Sequence, residues 1–573
     1  MVHPTTAPKD APKTFEFVVV GGGTAGCVVA GRLAKNPRVS VLVVEAGPNN
    51  TADIPEISTP ARAFELRGSE YDWGYKTTMI DRTEYTRVEK PNTRGKMLGG
   101  PSGGNYFTWV RGSASTFDDW AEYGTDEWNW ENTKDSFNKS ATYHDDEAIY
   151  SADLAKNSNQ DQAVPRRSAK SLVSKGQELT TDVYSGVQKG LFKCVSSIYK
   201  GMRSTSAVFI EGKENVTLVS STISKNLVLE NGKAVGVTVI GPDSEEYTFN
   251  AKYEVVVSQG VFESLKLLVL SGIGRKSDLE ALGIKTVVDS QHVGQNLLDH
   301  PILSHVFQTK DGYGLGSHLL RAGPQKDGCI TVYRKDHSGP YSSGLLELVA
   351  FPRADEWFDT SKEYREYKAQ NDGVDPYGLS GQPHFEVDFV PMFSDAFQWH
   401  FSMLPQGDYR TVIVGLMRPL SRNGEVRLQS TDPADQPYIN LKFFSHDLDL
   451  VALRKGVRMI DDIAMHGEGH YPWPIPRNSD EAMIPQILER AQTGFHPCGT
   501  LRLGRSIEQG VVDPKLRVCG TAGLRVINAS IFPVIQDCRI QNDVYMVAEK
   551  GADYIKAEYP ELFKQVGKGE YEV

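Results

Sequence analysis

The sequence predicts an α/β protein: a Rossmann-like nucleotide domain joined to a second domain with a mostly antiparallel sheet covered by helices. Three observations carry this. A glycine-rich turn lies between an apolar run and a helical pattern within residues 15–45. Alternating and apolar strand-like segments, with no glycine fingerprint of their own, follow residue 305. And 573 residues exceed what one ordinary hydrophobic core organises, so two units are expected.

The first thirteen residues are polar, hold three prolines and are expected to form a flexible tail. Phe17–Val20 then reads as a strand feeding Gly21-x-Gly23-x-x-Gly26. Val28, Val29 and Leu33 mark a helix, and Val41–Val44 a second strand. Glu45 follows nineteen residues after Gly26 (45 − 26). In a dinucleotide fingerprint the three glycines have separate tasks. Gly21 makes the tight turn, Gly23 lets a pyrophosphate approach the backbone, and Gly26 lets the helix pack on the strand. Thr24 and Ala25 open the helix, whose free N–H groups favour phosphate. Glu45, with Ala46 beside it, can accept hydrogen bonds from ribose hydroxyls and disfavours a 2′-phosphate. FAD and NAD stay equally open at this point.

Residues 91–112 form a glycine-dense loop too rich in special backbone positions to be filler. Residues 150–176 are polar and patternless and read as part of a surface excursion spanning about 150–200. Leu227–Ile240 reads as a hairpin turning at Asn231-Gly232. Glu254–Val257 is a buried strand, followed by a turn at Gln259-Gly260 and a leucine-rich helix. Phe385–Phe389 alternates as a half-exposed strand should, and Thr411–Leu416 and Glu425–Leu428 extend an antiparallel sheet. A helix around Val451–Ile463 follows. Near the end come the strand Leu524–Ile527 and a helix from Asn542 to about Tyr559. The expected division is 14–305 for the first part of the nucleotide domain, 306–480 for the substrate domain and 481–573 for the return segment.

Composition narrows the function. The net charge of −11 opposes a nucleic-acid partner and means that a small anion needs a local cation. No apolar run reaches membrane-spanning length, and no apolar leader opens the chain, so a cytoplasmic enzyme is expected. Six scattered cysteines without CxxC pairs read as free thiols, and no metal-ligand spacing is present.

Four blocks in order resemble the glucose–methanol–choline (GMC) oxidoreductase family. They are Gly21–Glu45; Arg94-Gly-Lys-Met-Leu-Gly-Gly-Pro-Ser-Gly-Gly-Asn105; Ser258 to Gly274 with Val293-Gly-Gln-Asn-Leu-Leu-Asp-His300; and Phe495-His-Pro-Cys-Gly-Thr500 with Gly510–Pro514 and Gly523–Ser530. The resemblance implies FAD. It implies flavin contacts from Arg94, Gly99, Gly100, Ser102, Asn105, Asn528, Gln541 and Asn542, and a catalytic histidine at His496. Some relatives carry a histidine bonded to FAD at position 104. Gly104 forbids that link, so noncovalent FAD is expected. Two additional glycines and a proline within 99–105 leave that loop room to loosen.

Forty-three residues after His496, where family members usually place His or Asn, stands Arg539 (539 − 496). Tyr71-Asp-Trp73, Ser140–Asp146, Ala396–Phe401 and Asp537-Cys-Arg-Ile-Gln-Asn542 are similar to the family's formate-oxidising branch. Arginine cannot serve as a base, because it stays protonated. It can grip a carboxylate in a two-bond fork. Formate has no hydroxyl proton to remove, so hydride departure alone gives carbon dioxide. His496 would orient the donor or balance charge. The start of the last helix would favour negative charge on the flavin. Dioxygen would be the second substrate, reduced to hydrogen peroxide, and the resemblance admits an FAD whose 8-methyl is oxidised to formyl. The alternative is a primary-alcohol oxidase or dehydrogenase, with Arg539 turned toward Asp537 or Asp543. Phe397 and Trp399 are candidate pocket walls.

Overall fold

The computed structural model describes residues 3–49, 53–87, 90–144, 179–180, 184–193, 195–346, 348–379, 381–394, 406–464 and 472–563. Its first sheet has a parallel heart. Val216–Val219, Val41–Val44, Thr14–Val20 and Glu246–Val257 lie side by side in parallel register. Leu524–Val526 joins Glu246–Val257 from the far end of the chain. The predicted hairpin, Ile223–Glu230 with Lys233–Ile240, extends the sheet antiparallel. Asn231 and Gly232, at φ 50 and φ 80, supply the two left-handed residues that such a tight turn requires. Val41–Val44 is buried throughout, as a strand covered on both faces must be.

The second sheet runs Gln492–Thr493, Pro301–Thr309, Asp408–Leu416, Phe385–Val390, Leu348–Phe351, Gly190–Lys193, Leu179–Thr180, antiparallel except for the last pair. Gly190–Lys193, with Leu191 and Phe192 buried, thus belongs to this sheet and not to a surface excursion. Residues 150–176 lie outside the described residues. The helix Asp447–Ala464 covers one face, coming close enough that a Cβ on Gly456 would lie 3.0 Å from the Phe385 ring and 3.2 Å from Val414.

Three further expectations are corrected. The N-terminal segment is not a free tail. Thr6 N donates to Leu218 O at 2.8 Å, His3 Nε2 bonds the Val216 carbonyl, and Ala11 is buried. Gly424–Arg427 pairs with Gln295–Leu297 and Tyr438–Asn440 in a separate three-stranded sheet. Phe385–Val390 is buried on both faces. Phe385, Val387 and Phe389 join the main core, while Glu386 and Asp388 line an internal cavity. The polar half of its alternation therefore faces a functional interior instead of bulk water.

Candidate active site

The parallel strands end together, and the residues after their carboxyl ends line one long cavity. These are Gly21 after Val20, Glu45 after Val44 and Ser258 after Val257, with Asn528 two residues past Val526. This is where an open parallel sheet places its ligand. Gly23, Thr24, Ala25, Ala46, Arg94, Gly100, Ser102, Asn105 and Gln541 also line it. Gly26, Gly99 and Asn542 stand behind this lining. A Cβ on Gly26 would lie 1.8 Å from the Gly21 carbonyl oxygen, so its role is close packing.

The 99–105 loop is not loosened. Gly99 N donates to Gly22 O at 2.7 Å, Asn105 N to Pro101 O at 2.9 Å, and Ser102 Oγ to Gly99 O at 2.6 Å. Pro101 opens a single 3-10 turn, where a missing N–H costs nothing. Thr24 Oγ1 ties the turn to the first helix by accepting from Ser102 N at 3.2 Å. Asn528 is occupied locally. Its amide donates to Ser264 Oγ at 2.9 Å, and its oxygen accepts from Ser530 N at 2.8 Å. Arg94 Nη2 donates to the Phe495 carbonyl at 2.6 Å, anchoring the turn that carries His496.

A dinucleotide fits what this cavity offers. Gly23 has open space where a side chain would stand, its Cβ position meeting only Ser258 O at 3.8 Å and Gly100 Cα at 3.9 Å. Gln541 Nε2, a buried amide on the cavity wall at the start of the helix Gln541–Glu558, meets no acceptor among the described residues. Its Oε1 accepts from Asn105 Nδ2. Such an orphaned donor suits the carbonyl-rich edge of a flavin. Burial pushes the Glu45 carboxyl up to about 7, and backbone N–H groups such as Gly47's, with the charge of Lys96, offset it only in part. Ribose hydroxyls would supply the missing donors.

Burial likewise raises Asp299 to about 6 and Asp543 to about 8. A carboxyl raised by folding holds its proton longer than in the unfolded chain. Its contribution is intact below the unfolded value and lost as pH rises through the folded one. The flavin-free protein is therefore expected to lose thermal stability as pH rises from 4.5 to about 7 at Glu45, and on to about 8 at Asp543. Glu45→Gln should flatten the lower part of that melting-temperature profile. It should also weaken cofactor binding on the order of tenfold, since one hydrogen bond to a charged acceptor is lost.

At the other end of the cavity His496 and Arg539 come together. His496 Nδ1 lies 2.9 Å from His300 Nδ1, and His300 Nε2 lies 2.9 Å from the Gln536 carbonyl. A carbonyl only accepts, so His300 carries its proton on Nε2 and accepts at Nδ1. His496 must then donate from Nδ1, leaving its Nε2 as a bare lone pair. Burial first, then His300, Arg539 and Arg94, holds His496 well below the usual histidine range, so it is neutral. Burial lowers His300 to about 4.

Arg539 does not pair with Asp537 or Asp543. Its Nε donates to Glu386 Oε1 at 2.6 Å, its Nη1 to Thr108 Oγ1 at 2.7 Å, and its Nη2 to Asp388. Asp537 instead accepts from Ser113 N at 2.8 Å. Burial raises Glu386 to about 7 and raises Asp388 as well, against the pull of Arg539. Glu386, Asp388, Thr108 and His300 were not read as site residues. The only sequence signals were the acids inside an otherwise apolar strand and the Asp-His pair closing the third block. Tyr75 and Glu263, joined by a 2.6 Å bond on the cavity wall, gave none. Phe397 and Trp399 lie outside the described residues.

Among the described residues no helix is long and apolar enough to cross a membrane. Asp355, Asp375 and His384 cluster within metal-ligand distance of one another. Arg353 supplies a cation there, 2.6 Å from Asp375 and 2.7 Å from Asp355.

Profiles of the GMC oxidoreductase family match residues 15–302 and 419–548. An oxygen-dependent choline dehydrogenase of Pseudomonas entomophila is 31% identical over 96% of this chain and 95% of its own. Pyranose dehydrogenase 3 of Leucoagaricus meleagris is 30% identical over 97% and 95%. A crystal structure of formate oxidase superposes with TM-score 0.93 at 51% identity, covering 96% of this chain and 99% of that one. Structures of Arg→Lys and Arg→Ala variants of the Aspergillus oryzae formate oxidase, described by their effect on FAD modification, match equally. The chain belongs to the GMC oxidoreductase family and is an FAD-dependent oxidoreductase.

Proposed function

We propose that the chain oxidises formate to carbon dioxide and reduces dioxygen to hydrogen peroxide. The observation that carries this reading is a fixed guanidinium, Arg539, lining the same cavity as a neutral His496. The 51% identity to a formate oxidase supports it. FAD, when bound, would supply the hydride acceptor and the route for the electron pair to dioxygen. Gly21, Gly23, Thr24 and Ala25 would hold its pyrophosphate, Glu45 its ribose, and Asn105 and Gln541 its ring edge. Gly104 offers no side chain for a covalent link, so the cofactor would be released on denaturation, either as FAD or as its 8-formyl form.

Arg539 draws the formate carboxylate to one end of the cavity and limits its orientations, which lowers the barrier by prior positioning. Glu386, Thr108 and Asp388 hold the guanidinium plane, so it does not reorganise when the anion arrives. No base is needed to start. The unprotonated Nε2 of His496 can take up a proton as negative charge collects in the site.

A primary alcohol is the second reading. It is favoured by that same lone pair, which could take a hydroxyl proton, and by the engagement of Arg539 with two acids. Anaerobic mixing distinguishes the two. Formate is expected to bleach the flavin within one turnover, and neutral primary alcohols to leave it oxidised. The reverse pattern would install the alcohol.

A further inference from the structure

We infer that Glu386 and Asp388 share one proton, and that this proton sets the charge an anionic donor meets beside Arg539. The acid pair is thus a positioning and charge-setting device, an inference that rests on the formate reading. Both acids come from one strand at i and i+2, so they project from the same face. They are 3% and 5% exposed. One guanidinium serves both, its Nε held by Glu386 and its Nη2 by Asp388, which places the two carboxyl groups side by side. Glu386 Oε2 and Asp388 Oδ1 are buried and meet no donor among the described residues.

Among the described residues Arg539 is the one cation that acts on both acids. On the flanking strands Gly415 stands beside Glu386, and Ile413 and Val349 beside Asp388. His496 and His300 are neutral. Arg94 is turned to the Phe495 carbonyl. Cys538 and Tyr106, two further titratable neighbours of this cluster among the described residues, have raised values and stay uncharged. Asp537 and Asp543 add only negative charge when ionised.

With both acids ionised, Arg539, Glu386 and Asp388 together would carry −1 in a buried cavity and repel a carboxylate. With one proton it is neutral. Two close carboxyl groups short of cations resolve the conflict by keeping a proton between them. The raised values of both acids agree. Above the pair's titration each bound anion must bring a proton with it. Anion affinity then falls by up to tenfold per pH unit.

The test uses the FAD-loaded protein and nitrate, an inert planar anion, titrated by flavin absorbance between about pH 6 and about pH 9. The dissociation constant for nitrate should rise toward tenfold per unit above neutrality. In Glu386→Gln, and separately in Asp388→Asn, it should lose that slope. Infrared spectra of the wild-type protein should carry a protonated-carboxyl C=O band that either substitution removes. Absence of nitrate binding, a flat wild-type profile, or a slope that survives both substitutions (placing it at Asp299 or Asp543) would overturn the inference. If nitrate behaves as expected while formate fails to bleach the flavin, the substrate reading falls and the shared proton stands. If formate bleaches the flavin and nitrate binding ignores pH, the shared proton falls alone.

Discussion

Arg539→Ala is expected to lower the rate constant for anaerobic flavin reduction by formate, per molar donor, on the order of 10³-fold. Removing a buried charged partner from an ionic grip typically costs a few kcal/mol, and each 1.4 kcal/mol is a factor of ten. The loss should fall on the reaction and not on folding. Without the cation, Glu386 and Asp388 can neutralise themselves by taking up protons, which burial already favours. The flavin:protein ratio and melting temperature should therefore change little. Arg539→Lys keeps the charge but not the fork that reaches Glu386, Thr108 and Asp388 together. It should fall between, roughly 10- to 100-fold below wild type. Stopped-flow reduction at varied formate concentration reads all three proteins. An alanine variant reduced as fast as wild type would remove Arg539 from donor binding.

The second large effect concerns the glycine turn, where three substitutions should give three different outcomes. At Gly26 a Cβ would lie 1.8 Å from the Gly21 carbonyl oxygen, and nothing flexible can yield there. Gly26→Val should break the contact of the first helix with its strand and give insoluble or flavin-free protein. Gly21 sits at φ 101, with a Cβ position 2.7 Å from the Ser258 and Gln259 backbone. Gly21→Ala combines left-handed strain with a backbone clash, costing roughly 2–4 kcal/mol. Gly23 is different. Its Cβ position is open to the cavity, so Gly23→Ala should fold normally. It should bind FAD roughly 10- to 100-fold more weakly, because the methyl takes space meant for the pyrophosphate. Equilibrium dialysis against FAD, with circular dichroism of the same samples, separates loss of fold from loss of cofactor.

Local rules made much of the fold legible. The fingerprint turn, the Asn231-Gly232 hairpin and the last helix depend on backbone demands within a few residues, and the structure has them as read. The errors share a cause. Phe385–Phe389 alternates as a surface strand does, and nothing within the segment says whether its polar side meets water or a cavity. The N-terminal segment looks unstructured because its stabilising partner, Leu218, lies some two hundred residues away. Gly424–Arg427 reads correctly as a strand, but sheet membership is a property of its partners.

The sequence by itself determined the cofactor class, the order of the blocks and the presence of a permanent cation forty-three residues after His496, because motif spacing and side-chain chemistry are local. Only the tertiary structure decided what that cation touches. It brought Glu386 and Asp388 from one strand, Thr108 from the glycine-rich loop and His300 from the end of a distant block into one cavity. It also fixed the tautomer of His496, through a carbonyl that no motif contains. Charges and protons in a buried site respond to every group within a few ångströms, and those groups come from positions that spacing along the chain does not relate.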